Sequence, residues 1–241
     1  MNLELKFFPS GDRGLLIKLD DAIDRRVNRR VHFLADNIKT KNLPGVEDLV
    51  PAYCSLLVLF DPLKNSYSEL VREIRRSSKG LEESAPVRNR FVEIPVCYGG
   101  RHGPDLADVA ALHQLTGPET IRQHCSTEYL VYFIGFCPGF PYMGEVPSSI
   151  ATPRLARPRI RVPSGSVGIA GSQTGIYPIE TPGGWRLIGQ TPVKLFDPSS
   201  EPPNLLRAGD SVRFVPISPA EFDTISSEVE RDSYPLKITA D

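Results

Sequence analysis

Apolar residues at the start of the chain follow two periods in turn. Leu3 to Phe8 is an apolar-rich run of strand type, Gly11-Asp12-Arg13-Gly14 supplies turn residues, and Leu15-Leu16-Ile17-Lys18-Leu19 continues as a second strand. Ile23, Val27, Val31 and Leu34 then recur at the spacing of one helix face, behind the capping candidates Asp20 and Asp21. After Leu43-Pro44-Gly45 the pattern repeats. Runs at Val46 to Val50 and Ser55 to Phe60, separated by a break at Pro51, precede a helix from about Ser66 to Ser77 that displays Leu70, Val71 and Ile74. Two strand-strand-helix units predict a small α/β sandwich with both helices on one face of a four-stranded sheet.

From Ser77 to Arg90 the apolar period is lost and Ser, Glu, Lys and Arg gather, as in an exposed connection between domains, so a boundary is placed near residue 87. Phe91 to Val96 then reads as a strand, and Pro104 opens a helix carrying Leu106, Val109, Ala110 and Leu112. Gly117-Pro118 ends that helix and starts another, to about Cys125. A strand at Tyr129 to Gly135 leads into a long stretch, Gly135 to Pro203, where glycine and proline punctuate short β-type runs, the grammar of a barrel or sandwich. Proline lacks the N–H a ladder needs, so most of these prolines belong at turns, edges or bulges. Ser218 to Asp241 reads as either a docking segment or a surface tail.

Composition narrows the function classes. The chain has 241 residues, 40% hydrophobic and 24% charged, and Lys+Arg 28 against Asp+Glu 29 leaves a formal charge of −1. Nothing global draws it toward nucleic acid or anionic lipid. The N-terminus has no secretory pattern and no run approaches bilayer-spanning length, so the expected address is the cytoplasm. Cys54, Cys97, Cys125 and Cys137 are widely separated, which argues against a zinc site or a disulfide framework.

The candidate chemistry lies in the Gly/Pro-rich stretch. Arg157, Arg159 and Arg161 alternate around Pro158 and Ile160, so an extended backbone would put three guanidinium groups on one face, with Arg154 nearby, either to bind an anion or to guard a strand edge. Ser164 and Ser166 sit in a Pro163-to-Gly171 segment read as a loop, suited to close backbone approach or to a tight barrel corner. Gln173, Thr174, Tyr177, Thr181 and Trp185 offer amide, hydroxyl and aromatic groups for a pocket wall or for ordinary core packing. Phe136, Phe140, Pro141, Tyr142 and Met143 form an aromatic loop that lines the barrel mouth or plugs its end. His102, His113 and His124 read as surface or capping residues, and Cys137 as structural for want of a visible activating base. There is no G-x-S-x-G elbow, no H-E-x-x-H and no obvious acid–base pair. No catalytic residue and no metal site is assigned.

Four segments carry a family resemblance: CYGGRHGPDL at Cys97 to Leu106, GFCPGFPYMG at Gly135 to Gly144, PRLARPRIRVPSGSVGIAGSQTGIYP at Pro153 to Pro178, and TPGGWRLIGQTPVKLFDP at Thr181 to Pro198. Together they closely resemble the kinase A inhibitor/allophanate hydrolase subunit 1 family, over essentially the whole chain. The resemblance implies an α+β protein, with an N-terminal ferredoxin-like α/β sandwich over 1–86 and a cyclophilin-like β-barrel over 87–241. It implies a part in an ATP-dependent 5-oxoprolinase complex that converts 5-oxoproline to glutamate, alongside large A and homologous C subunits. ATP and Mg²⁺ would serve the complex from a partner subunit, since no Gly-Lys-Ser/Thr phosphate loop is present here. Two other roles follow from the same resemblance: inhibition of sensor histidine kinase autophosphorylation, and service as a half-subunit of carboxyltransferase type, as in urea carboxylase. Met143, Thr181 and Gln190 depart from the family pattern, and at Gln190, itself a candidate substrate- or anion-binding position, a neutral amide stands where Arg is common, which weakens binding if that position takes a carboxylate or phosphate.

Overall fold

The two periods of the N-terminal pattern bury complementary sets of side chains. The computed structural model describes residues 5–78 and 90–240, and the chain divides into two units, Met1–Val87 and Arg88–Asp241. Most of the connection read at 77–90 lies outside the described residues. In the first unit the elements run β1 (Lys6–Pro9), β2 (Gly14–Lys18), α1 (Arg25–Lys41), β3 (Val46–Pro51), β4 (Ser55–Phe60) and α2 (Tyr67–Ser77), and the antiparallel sheet has the order β1-β2-β4-β3. Leu15, Ile17, Leu56, Val58 and Phe60 project from one sheet face into Val31, Leu34 and Ile38 of α1 and Leu70 and Ile74 of α2, so both helices cover that face. Each such side chain, fully buried, contributes about 1.5–3 kcal/mol of transfer free energy.

Local signals set the helix starts. Asp24, rather than Asp20 or Asp21, caps α1 by accepting from the Arg26 and Val27 N–H groups, whereas Asp20 accepts from Asp21 N–H and Ala22 N–H in the preceding turn. Ser66 and Glu69 form a reciprocal capping box on α2. The element order of this unit is β-β-α-β-β-α, with both helices on one face of the sheet.

The second unit runs β5 (Arg90–Tyr98), α3 (Leu106–Leu112), α4 (Gly117–Cys125), β6 (Tyr129–Ile134), β7 (Pro141–Gly144), β8 (Arg159–Val162), β9 (Ser166–Ala170), β10 (Gln173–Ile176), β11 (Thr181–Gly183), β12 (Arg186–Gln190), β13 (Ser211–Ile217), α5 (Pro219–Glu230) and β14 (Ile238–Ala240). The order β12-β9-β10-β7-β6-β13-β5 closes on itself, because β12 also pairs with the end of β5 through Gly189↔Tyr98 and Gln190↔Cys97. Val92, Ile94, Val96, Val131, Met143, Val167, Ile169, Ile176, Ile188 and Val212 fill the interior. Pro104 does not open the first helix of this unit. That helix starts at Leu106, with Asp105 at the N-cap position but its side chain engaged elsewhere.

Pro95 lies within β5, where a proline must avoid a ladder position. The Glu93 N–H reaches Lys237 C=O and the Gly99 N–H reaches Ile188 C=O, so by the two-residue period Pro95 also faces that flank, between the stretches paired to β14 and to β12. Residues 218–240 are more than a surface tail. They form α5, started by a Ser218–Glu221 capping box, and β14, which pairs antiparallel with Arg90–Val92.

His124 is fully buried among the barrel side chains, stacked on Phe214 at 4.6 Å, contrary to its reading as a surface or capping residue. Its hydrogen bonds define a direction. Thr174 Oγ1 donates to Gly168 C=O (3.0 Å), so it accepts from His124 Nε2–H (3.1 Å), which leaves His124 Nδ1 to accept from Tyr98 O–H (2.8 Å). Cys125 Sγ–H donates to the Tyr98 oxygen at 3.4 Å, and every polar side-chain atom in this series is satisfied with the imidazole neutral. Burial lowers the His124 pKa from 6.5 to about 3, so neutral imidazole favours the folded state above pH 6.5 and that contribution drains away as the pH falls toward 3. The stability gap between wild type and His124→Gln, measured by urea unfolding, should therefore narrow by about 1.4 kcal/mol per pH unit below pH 6.5. A gap that stays constant between neutrality and mild acid would mean that His124 is not held neutral.

Candidate functional site

The Pro163-to-Gly171 segment read as a loop is mostly barrel wall, because Ser166–Ala170 is β9, buried throughout. Its alternation sends Val167 and Ile169 inward and Gly168 and Ala170 outward. Gly168 pairs with Gly175 on β10, and aromatic rings lie against this bare strip. A Cβ on Gly175 would come within 2.9 Å of Phe140 Cζ, and one on Gly168 within 3.0 Å of Trp185 Cβ. Phe140 is the hub, with its ring centroid 4.9 Å from Tyr142, 5.2 Å from Tyr177 and 5.4 Å from Trp185. The two-stranded ribbon β8–β11 closes over the cluster, with Val162 buried in it and Gly183 against the Tyr177 hydroxyl.

Phe140, Tyr142 and Trp185 thus form a small core on the outside of the barrel wall, while Met143, the next residue on β7, points inside. The aromatic run neither lines the mouth nor plugs the end, because β7 splits it between two faces. Alanine at Gly175 must push Phe140 off its seat. Gly175→Ala is expected to lower stability by about 1–3 kcal/mol in urea unfolding and to shift the emission of Trp185, the only tryptophan. Unchanged emission would mean that the rings do not rest on this strip.

The arginines are committed differently. β8 begins only after Pro158, which leaves Arg157 outside the strand, exposed and without an ion pair among the described residues. Arg159 turns to the buried Asp105 at 2.6 Å and donates more weakly to Trp185 C=O, while Arg161 pairs with Glu180 on the surface. Asp105 is the reason the expectation fails: its other carboxylate oxygen accepts from Leu187 N–H at 2.7 Å, so it fixes Arg159 to the barrel wall. Arg154 is different. It is exposed, makes no ion pair among the described residues, and its guanidinium lies 5.8 Å from the Trp185 ring centroid, close enough to lower the pKa of the Tyr142 and Tyr177 hydroxyls against the larger upward push of burial.

Beside this cluster Phe136 holds a left-handed φ of 65°, and Cys137 N–H bonds back to Gly135 C=O at 2.7 Å, a tight three-residue turn that is strained for a bulky residue. The turn leaves the Phe136 ring 61% exposed, edge-on to Phe140. Arg154 thus lies over the buried Trp185 and near the Tyr142 hydroxyl, while Phe136 is exposed beside Phe140. Cys137 packs against the same cluster, and burial raises its thiol pKa.

A model of the carboxyltransferase domain, subdomains C and D, matches residues 5–206. The chain belongs to this carboxyltransferase-domain family. It is 44% identical over 228 residues to the B subunit of 5-oxoprolinase from Bacillus subtilis strain 168, covering 90% of this chain and 95% of that protein. Among solved structures, TTHA0988 superposes with a TM-score of 0.75 at 40% identity, over 86% of this chain but only 40% of that longer chain. The urea amidolyase of K. lactis superposes with a TM-score of 0.87 at 18% identity, over 98% of this chain and 16% of its own, and thereby shares the fold.

Within this carboxyltransferase-domain chain, the remaining candidates are committed to structure. Gln190 accepts from His102 Nδ1–H at 2.9 Å, since Arg101 Nε–H occupies His102 Nε2, and its amide donates to Ser164 C=O at 2.8 Å. Ser164 in turn donates to Pro178 C=O. Here a neutral amide bridges a histidine and a carbonyl. His102 is buried under Phe222 of α5, and His113 bonds Thr152, so none of the three central histidines is a free surface group. Ser166 is buried at the start of β9, Gln173 is half-buried in β10 and Thr181 opens β11. Sequence reading missed Asp105, Tyr98 and the paired glycines, of which only the D in CYGGRHGPDL and the glycine spacing gave any signal. Among the described residues no three His, Cys, Asp or Glu side chains gather as a metal site would require.

Proposed function

We propose that this chain is the B subunit of an ATP-dependent 5-oxoprolinase, opening 5-oxoproline to glutamate together with large A and homologous C subunits. The observation that carries this reading is the near-full-length likeness to the B subunit of a 5-oxoprolinase. In the same reading, residues 1–86 form a ferredoxin-like sandwich with cyclically shifted element order, and residues 87–241 form a cyclophilin-like barrel.

Opening the lactam needs an activated carbonyl. ATP and Mg²⁺, held by a partner subunit, would phosphorylate the amide oxygen; water then attacks the carbon, the C–N bond breaks to leave an acyl phosphate, and a second water releases phosphate and the carboxylate. This chain contributes a cation for a small anionic ring, the exposed Arg154 guanidinium for the carboxylate, held beside the aromatic cluster by its contact with the Trp185 ring. Arg159, Arg161 and Gln190 keep their structural partners throughout.

Glutamate and ADP are measured after mixing the chain with the candidate A and C subunits, ATP, Mg²⁺ and 5-oxoproline, leaving out each protein in turn. Glutamate formation should vanish without this chain, and Arg154→Ala should raise the KM for 5-oxoproline by about 10- to 100-fold, the worth of one charge-assisted contact. Turnover that ignores this chain in an otherwise active mixture would overturn the reading. An unmoved KM in an active complex would remove Arg154 from the binding site.

A further inference from the structure

We infer that one end of the N-terminal unit is a docking surface for a partner protein that presents carboxylates. The first two turns of α1 carry Arg25, Arg26, Arg29 and Arg30, with no acidic residue in the first turn. The topology brings a second basic group to the same end. Asn28 Nδ2 donates to Ala52 and Tyr53 C=O, which sets the start of α1 beside the β3–β4 turn, and Lys18 pairs with Ser55 at that edge of the sheet. α2 runs the opposite way, so its last turns, with Arg72, Arg75 and Arg76, reach this edge too, where Arg75 lies 4.9 Å from the Phe7 ring centroid.

The two sets of arginines differ in what explains them. Cations in the last turn of α2 complement the negative end of its helix dipole. Those in the first turns of α1 stand toward the positive end, where the dipole gives cations no such gain. Arg26 has a loose 3.7 Å contact with Asp24, whereas Arg29 and Arg30 form no ion pair among the described residues. The whole chain has a formal charge of −1, so this basic end is balanced by an acidic remainder. That remainder would repel an extended phosphate backbone or an anionic lipid layer, and Asp20, Asp21, Asp24 and Glu73 interrupt the patch itself. A compact protein surface whose carboxylates meet the guanidinium forks fits this mixed pattern.

The inference rests on the reading that the chain works in a complex, and the test separates the two. Binding of the candidate A and C subunits to the purified chain is measured by calorimetry at about 50 mM and about 200 mM salt. Arg29→Glu with Arg30→Glu should weaken binding of one of them by about tenfold or more and flatten its salt dependence, while Arg122→Glu with Arg231→Glu, a control in the other unit, should bind as wild type. Circular dichroism melts confirm that both variants fold. Unchanged affinity in the folded Arg29/Arg30 variant would overturn the docking surface and leave the oxoprolinase reading intact. If neither candidate binds wild type, that reading fails, and a labelled oligoglutamate peptide decides the surface. Preference for the peptide over duplex DNA and phosphatidylserine vesicles, lost in the Arg29/Arg30 variant, upholds it; equal or tighter binding of DNA or vesicles overturns it.

Discussion

The C-terminal unit depends on β12 meeting β5. That contact closes seven strands into a barrel, and it is sterically demanding, because a Cβ on Gly189 would lie 2.6 Å from Val96 Cγ1 and 3.0 Å from Cys97 C=O. Only glycine lets the last wall strand approach closely enough to pair. Asp105 secures the same corner. Its backbone N–H donates to Leu187 C=O, one carboxylate oxygen accepts from Leu187 N–H and the other pairs with Arg159, so one buried residue ties helix α3, the wall and the covering ribbon together. A half-buried pair of this kind specifies geometry more than it adds net stability.

Closure decides where the aromatic residues go. The interior is filled by aliphatic side chains together with Tyr129, Phe214 and His124, and the rings of Phe140, Tyr142, Tyr177 and Trp185 gather in a separate cluster. They pack on the outer face, over a strip that glycine keeps flat. Phe136 and Arg154, which touch this cluster, remain exposed.

Much of this was legible in the chain itself. Helical and strand periods located all four N-terminal strands and both helices, since each period there maps onto one buried face. Glycine and proline density announced a β-rich second unit, but not its closure, which rests on β5 pairing with residues nearly a hundred positions away. The arginine alternation misled because sequence spacing cannot show a buried carboxylate from another segment, and Asp105 captures the central guanidinium. His124 was missed for a related reason: its polar partners, Tyr98 and Thr174, are brought to it only by the fold. Gln190 looked like a lost anion ligand and is instead a bridge between His102 and Ser164.

The titration behaviour of the cluster bears on how work is divided in the proposed complex. General acid–base catalysis needs a group whose pKa lies near the working pH. Around the aromatic cluster the perturbed groups are Tyr142, Tyr177 and Cys137, and burial raises all three, which keeps them protonated at neutral pH. His124, the one histidine with a strongly moved pKa, is sealed in the barrel and driven down to about 3, away from any substrate. Burial thus holds these three groups in their neutral forms, beside the exposed Arg154 cation. In the proposed division of work this chain holds and orients the anionic ring, and phosphoryl transfer lies with a partner subunit.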